Sequence, residues 1–224
     1  ADNLRTHLLA NRRPPRLDVR TARTGEAPAA IEIDGSGFSG GSSGFPATER
    51  WHTQLREPLI TTASWARKND FARIGLSGSY RLTTAFLLGW AFRSAIGFEI
   101  DIPTKGGSWA TDAHPPTGGS VLPWSVRPPV ALLGDRMVVG IGVLRDPAPD
   151  IRNHLSLNDD KGLLLATLPQ ALTDGTDVQA SVQIAKAAIA REAARLGPSA
   201  IDLYYVGPAA FAVALGHRWN GLPA

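Results

Sequence analysis

The sequence predicts an α/β fold of two similar halves, each a parallel-type sheet with its helices, and three observations carry that reading. Apolar runs of strand length alternate with stretches of helix length, the order that parallel strands joined by right-handed crossovers require. A segment over residues 103–129 is dense in Gly and Pro and divides the alternation in two. A shift of 127 residues then lays one half on the other, so that Ile74, Leu76, Ala85, Leu88 and Gly89 fall on Ile201, Leu203, Ala212, Leu215 and Gly216.

In chain order, residues 1–14 read as a polar, arginine-rich linker, followed by a first half over 15–110, a connector over 111–130 and a second half over 131–224. Leu17-Asp18-Val19-Arg20 and Ile31-Glu32-Ile33 alternate as strands do, and the glycines and serines of 35–44 read as a loop. Thr48 is expected to cap a helix with Trp51, Leu55, Leu59 and Trp65 on its apolar side, bent near Pro58 and ended around Asn69. Residues 73–76 read as a buried strand, 82–92 as a buried helix and 98–102 as the next strand. In the second half, 137–144 and 163–168 read as strands. Asp177 is the expected cap of a helix whose stripe runs Val178, Val182, Ala185, Ile189, Ala193, Leu196, and Gly197-Pro198 stops it. A strand over 201–206 and a last helix from Pro208 to about Arg218 close the pattern.

Composition narrows the function classes. The 224 residues include no cysteine, which excludes thiol catalysis and Cys-based zinc sites and fits a reducing compartment. The five histidines are scattered without metal-ligand spacing, and no metal site is expected. The net charge of +3 is too mild, and its arginines too dispersed, for a nucleic-acid track, while it suits a small phosphate-bearing ligand. No apolar run reaches the ~18 residues a membrane span needs, and no signal-peptide pattern opens the chain, so it reads as soluble and cytoplasmic. Gly35-Ser36-Gly37-Phe38-Ser39-Gly40 matches the dinucleotide fingerprint in letters, but no helix starts at its end and the next strand carries no acidic residue. Ser77 and Ser79 on a strand-to-helix turn lack the Gly-x-Ser-x-Gly frame of a nucleophile, and no catalytic residue is assigned.

Parallel sheets bind ligands at the carboxyl ends of their strands. Those ends are Ser77-Gly78-Ser79-Tyr80-Arg81 and Tyr204-Tyr205-Val206-Gly207-Pro208, each leading into a helix whose free N–H groups favour an anion. Arg81 and Lys105 can neutralise phosphate, and Tyr80 and Trp109 offer faces for a base. The expected contacts are therefore Ser77, Ser79, Tyr80, Arg81, Lys105 and Trp109 from the first half and Tyr204, Pro208 and Ala209 from the second, with the two half-sites facing one cleft. The second half offers no cation in this reading, so the grip comes mainly from the first.

Gly78-Ser79-Tyr80-Arg81-Leu82 running to Leu88-Gly89, the 98–103 segment with Trp109 after it, and Ile201-Asp202-Leu203 running through Gly207-Pro208-Ala209-Ala210 to Ala214-Leu215-Gly216 together resemble the SAVED domain over about residues 70–220. That resemblance implies two tandem CARF-like, Rossmann-like halves. It implies a sensor for a cyclic di- or trinucleotide second messenger in bacterial anti-phage (CBASS) defence, with ligand binding promoting homo-oligomer assembly. It further implies that this chain is the sensor module of a larger effector, its upstream domain a nuclease and its contact with DNA made only through that domain. No cofactor beyond the cyclic nucleotide and no membrane is implied. The alternative on the same fold is a ring nuclease or other phosphodiesterase. The chain ends soon after the last helix, where the family pattern leads one to expect a further edge strand.

Overall fold

The protein's structure is a computed structural model that describes residues 16–20, 31–33, 38, 46–77, 81–104, 107–111 and 122–222. The 1–14 linker, most of the 35–44 loop and residues 112–121 of the connector lie outside them.

Alternation over 16–20 yields β1 (Arg16–Arg20), paired in parallel with β2 (Ile31–Glu32) on one side and β3 (Arg73–Ser77) on the other. β4 (Glu99–Thr104) extends the sheet in parallel beyond β3, and β5 (Gly107–Ala110) folds back on β4 as an antiparallel edge, giving the order β2-β1-β3-β4-β5. The crossover from β2 to β3 is α1, which runs from Thr48–Trp51 through a π-helical His52–Arg56 into Glu57–Lys68. The widening falls immediately before Pro58, whose ring would strike the carbonyl four residues back and which has no N–H to give. The expected bend is thus absorbed as a wide turn. Ala47, not Thr48, stands at the N-cap, and no side chain caps the helix. After β3 comes α2 (Leu82–Ala91), apolar nearly all round and buried at Ala85, Leu88, Gly89 and Ala91.

The second sheet repeats the plan. Seven of the eight residues of β7 (Arg136–Val143) are buried, as a central parallel strand covered on both faces demands. β8 (Leu163–Leu168) and β9 (Ala200–Val206) pair with β7 in parallel on opposite sides, and β6 (Ser125–Arg127) adds an antiparallel edge to β8, so the order is β6-β8-β7-β9. In both sheets the first parallel strand lies between the second and the third. Helix α3 (Ala148–Leu155) joins β7 to β8, α4 (Gly175–Leu196) joins β8 to β9, and α5 (Ala209–His217) follows β9. α3 went unread in sequence because Asp146-Pro147-Ala148-Pro149 has the look of a turn, yet proline is admissible in a first helical turn and the Asp146 side chain accepts from Ala148 N at 2.9 Å. β5 and β6 sit inside the Gly/Pro-dense stretch and are short. Asp174, not Asp177, caps α4, accepting from Asp177 N at 2.9 Å, while Asp177 accepts from the Thr173 hydroxyl at 2.8 Å.

Each sheet is tied at the amino-terminal edge of its strands by the same device. Arg73 opens β3 and holds Asp101 of β4 with two bonds of 2.9 Å, and Arg136 opens β7 and grips both carboxylate oxygens of Asp202 of β9, its Nε donating at 2.7 Å. In both cases the aspartate lies two residues beyond the arginine's register partner. The Arg136 guanidinium keeps Asp202 below the usual carboxylate range. On α4, Arg191 and Arg195 close on the buried Glu192 from both sides at 2.8 and 2.7 Å and lower its pKa.

The chain divides into two compact units, Ala1–Asp112 with Val213–Arg218 and Ala113–Ala212 with Trp219–Ala224. The second part of α5 therefore belongs to the first unit, and it does so through glycines. A Cβ on Gly89 would run into the Val213 carbonyl oxygen and reach 2.7 Å from His217 N; one on Gly216 would run into the Phe86 carbonyl oxygen and reach 2.9 Å from Trp90 N. α2 and α5 cross with backbone against backbone. The buried His217 ring places Nδ1 2.6 Å from the Phe92 carbonyl, Ser94 Oγ donates to the His217 carbonyl at 3.3 Å, and Arg218 donates to the Thr111 carbonyl at 2.9 Å.

Two outcomes are expected. Gly→Ala in an open helix gains ~0.5–1 kcal/mol, but Gly89→Ala and Gly216→Ala should each lose about 1–3 kcal/mol or more by overpacking, read as a lower urea midpoint; an unchanged midpoint contradicts the crossing. Burial pushes the His217 imidazole from 6.5 down to about 4. Below 6.5 the unfolded chain takes up a proton that the folded ring refuses, so stability present in full above 6.5 falls as the pH drops toward 4, by about 3 kcal/mol in all. Comparing urea midpoints of the wild type and His217→Gln across that window should show a steeper acid loss in the wild type; parallel curves contradict it.

Candidate functional site

Where the first strand of a sheet sits between the second and the third, the chain leaves it in opposite directions and a crevice opens at the carboxyl ends of the first and third strands. In the first unit those ends are Arg20 and Ser77, which are register partners; in the second they are Val143 and Val206, with Gly142 facing Val206.

Ser77 closes β3 half-buried. Arg81 has an extended backbone (φ −78°, ψ 162°), its carbonyl accepts from Ala85 N at 2.7 Å, and its side chain is exposed, so the guanidinium stands at the start of α2 without capping it. Ser79, Tyr80 and Lys105 lie outside the described residues. Trp109 is not on a loop beyond a strand end: it is the half-buried partner of Ile102 on the edge strand β5, set back from the β4–β5 turn that Thr104 Oγ1 closes onto the Gly107 carbonyl at 3.1 Å.

In the second unit the strand end is shaped by Tyr205, the residue after the expected contact Tyr204. Tyr204 leans its ring toward His154 of α3 (centroids 5.8 Å apart) and packs on the cluster of Val138, Ile151 and Leu163, its hydroxyl pushed up by desolvation. Tyr205, on the opposite face, donates to the Pro208 carbonyl at 2.8 Å and stacks on Phe211 at 5.4 Å; burial holds its hydroxyl neutral, well above the ordinary range. Phe211 in turn stacks with Trp124, whose indole N–H donates to Ser181 at 3.0 Å. The Pro208 carbonyl also receives the first helical bond of α5, from Phe211 N at 3.1 Å. Gly207 fits because it has no side chain: a Cβ there would strike the Tyr205 hydroxyl and come within 3.0 Å of Val143. Pro208 and Ala209 thus present a helix start fixed from behind by an aromatic stack.

A cation does stand at a strand end of the second unit. Arg145 follows β7 by two residues, exposed, with Nη2 2.5 Å from Asp150. Sequence reasoning missed it because it carried the strand through Leu144; the strand stops at Val143, and Leu144 turns left-handed at φ +69°. Among the described residues no group of three or more His, Asp or Glu is placed to hold a metal ion, and no helix is long and apolar enough to cross a membrane.

A family model, SAVED, "SMODS-associated and fused to various effectors sensor domain", matches residues 59–224. The chain belongs to the SAVED family. Among curated proteins, this SAVED chain is 24% identical over 195 residues to CD-NTase-associated protein 4 of Moraxella osloensis, and equally to that of an Acinetobacter species, covering 86% of this chain and 41% of each relative. It spans about two fifths of the length of those relatives. Among solved structures, the Cap4 SAVED/CARF-domain containing receptor of Acinetobacter baumannii with the cyclic trinucleotide 2'3'3'-cAAA superposes with a TM-score of 0.80 at 22% identity, over 93% of this chain and 47% of that one. The Moraxella osloensis receptor gives 0.73 at 20% identity, over 93% and 45%. The SAVED/CARF fold expected from the sequence is the fold observed, with antiparallel edges β5 and β6 that make both sheets mixed.

Tyr205→Phe removes the hydroxyl that fixes the Pro208 carbonyl and should cost about 1 kcal/mol in thermal unfolding; no loss would show that the stack alone sets the helix start.

Proposed function

We propose that this chain is the sensor module of a cytoplasmic effector and binds a cyclic di- or trinucleotide at the carboxyl ends of its parallel strands. One observation carries the reading: two sheets with the same first-strand-central order end at helix starts, in a SAVED fold that superposes with a TM-score of 0.80 on a receptor solved with a cyclic trinucleotide. A cyclic nucleotide presents phosphates and bases on one small ring. Exposed Arg81 supplies a bidentate phosphate partner, and the Ser77 hydroxyl adds a donor at the end of β3. Pro208, which has no N–H of its own, leads into the first N–H groups of α5, those of Ala209 and Ala210, and into the positive end of its dipole. Ser79, Tyr80, Lys105 and Trp109 complete the first half's contribution, and Tyr204 acts from the second as support for its strand. Occupancy promotes homo-oligomer assembly and activation of an effector domain carried elsewhere in the polypeptide, a nuclease that alone touches DNA, in bacterial anti-phage defence.

Calorimetric titration with a panel of cyclic di- and trinucleotides, 2'3'3'-cAAA and 3'3'3'-cAAA among them, should give saturable heat with at least one, and Arg81→Ala should weaken it roughly tenfold or more. No heat with any member of the panel overturns the reading. Light scattering on the saturated protein should show a mass above that of the free protein; an unchanged mass removes the assembly step.

A further inference from the structure

The turn after β7 holds one apolar side chain out in solvent, in a backbone conformation ill suited to it. Leu144 adopts φ +69°, where glycine and asparagine are at ease and a leucine is not. The conformation is imposed from both sides. Leu144 N donates to the carbonyl of Leu168, the last residue of β8, at 2.8 Å. Two residues earlier, Gly142 leaves the space into which the Arg145 carbonyl and Pro147 turn back, Pro147 Cδ lying 2.7 Å from where a Cβ would be. Val143 beside it is buried, yet Leu144 is 62% exposed, one of two large hydrophobic side chains so exposed among the described residues. The fold gains nothing from leucine there, since glycine or asparagine would relieve the backbone and expose less apolar surface.

Its position indicates what the side chain meets. It sits at the carboxyl end of the central strand, at the switch between β8 and β9, with side-chain-free Gly207 at the end of the adjoining strand and Arg145 next in sequence. A flat, weakly polar group joined to an anion matches that neighbourhood. We infer that Leu144 is the apolar contact on which a nucleobase of the cyclic nucleotide is laid. The inference rests on the proposed sensing function and adds to it an apolar base contact in the second unit, beyond the Tyr204, Pro208 and Ala209 expected there.

The test uses the full chain and whichever cyclic nucleotide of the panel gives the largest heat. Leu144→Gly and Leu144→Asn should unfold at or above the wild-type temperature yet bind at least about tenfold more weakly. Leu144→Met, which keeps an apolar side chain, should stay within about threefold of wild type. Unchanged affinity in Leu144→Gly and Leu144→Asn overturns the inference and leaves the sensing function standing. Loss in Leu144→Met equal to that in Leu144→Gly also overturns it, as does a changed oligomeric state of the unliganded protein with affinity retained, which would assign Leu144 to a subunit contact. A wild type that binds nothing in the panel brings down the sensing function and this inference together.

Discussion

The backbone contact between α2 and α5 at Gly89 and Gly216 is the constraint on which much else depends. Two helices can approach so closely only where neither carries a side chain, and both glycines meet a carbonyl of the opposing helix one turn away. The contact draws the end of the last helix into the first unit, where His217, Ser94, Arg218 and Thr111 secure it. The start of the same helix is held in the second unit by the Tyr205–Phe211–Trp124 stack. The helix that begins at a candidate ligand contact therefore ends at a packing contact that tolerates no added methyl.

That contact also accounts for the helical part of the internal repeat. Ala85, Leu88 and Gly89 recur as Ala212, Leu215 and Gly216, and all six are buried. The repeated letters record a packing requirement of paired helices, which is why they were visible in one sequence. The strand ends, where chemistry is expected, do not repeat in letters: Ser77 with Arg81 has Tyr204 with Pro208 as its counterpart.

How far the sequence could be read follows from the same distinction. Buried parallel strands announce themselves as apolar runs, and β3, β7 and β8 were legible within a residue or two, as was the half-buried β9. Short edges such as β5 and β6 carry no such run, and α3 was hidden by two prolines at its start. At the site, alternation predicts that Tyr204 and Tyr205 face opposite sides but not which side holds a helix start; only coordinates show Tyr205 beneath Pro208 and Tyr204 packed on α3. A one-residue error in the end of β7 concealed both the left-handed Leu144 and the cation Arg145, because the sign of φ at a non-glycine residue leaves no trace in the letters.

The molecule thus separates its tasks along the strands. Paired charges, Arg73 with Asp101 and Arg136 with Asp202, lock the amino-terminal edges, while exposed Arg81, Leu144 and Arg145 stand at the carboxyl edges. Hydrogen–deuterium exchange with and without the cyclic nucleotide tests that division most directly. Protection is expected at residues 81–85, 143–146 and 207–211, with exchange at the starts of β3, β7 and β9 unchanged. Protection confined to those strand starts, or absent from all three segments under saturating ligand, would contradict a site at the carboxyl ends.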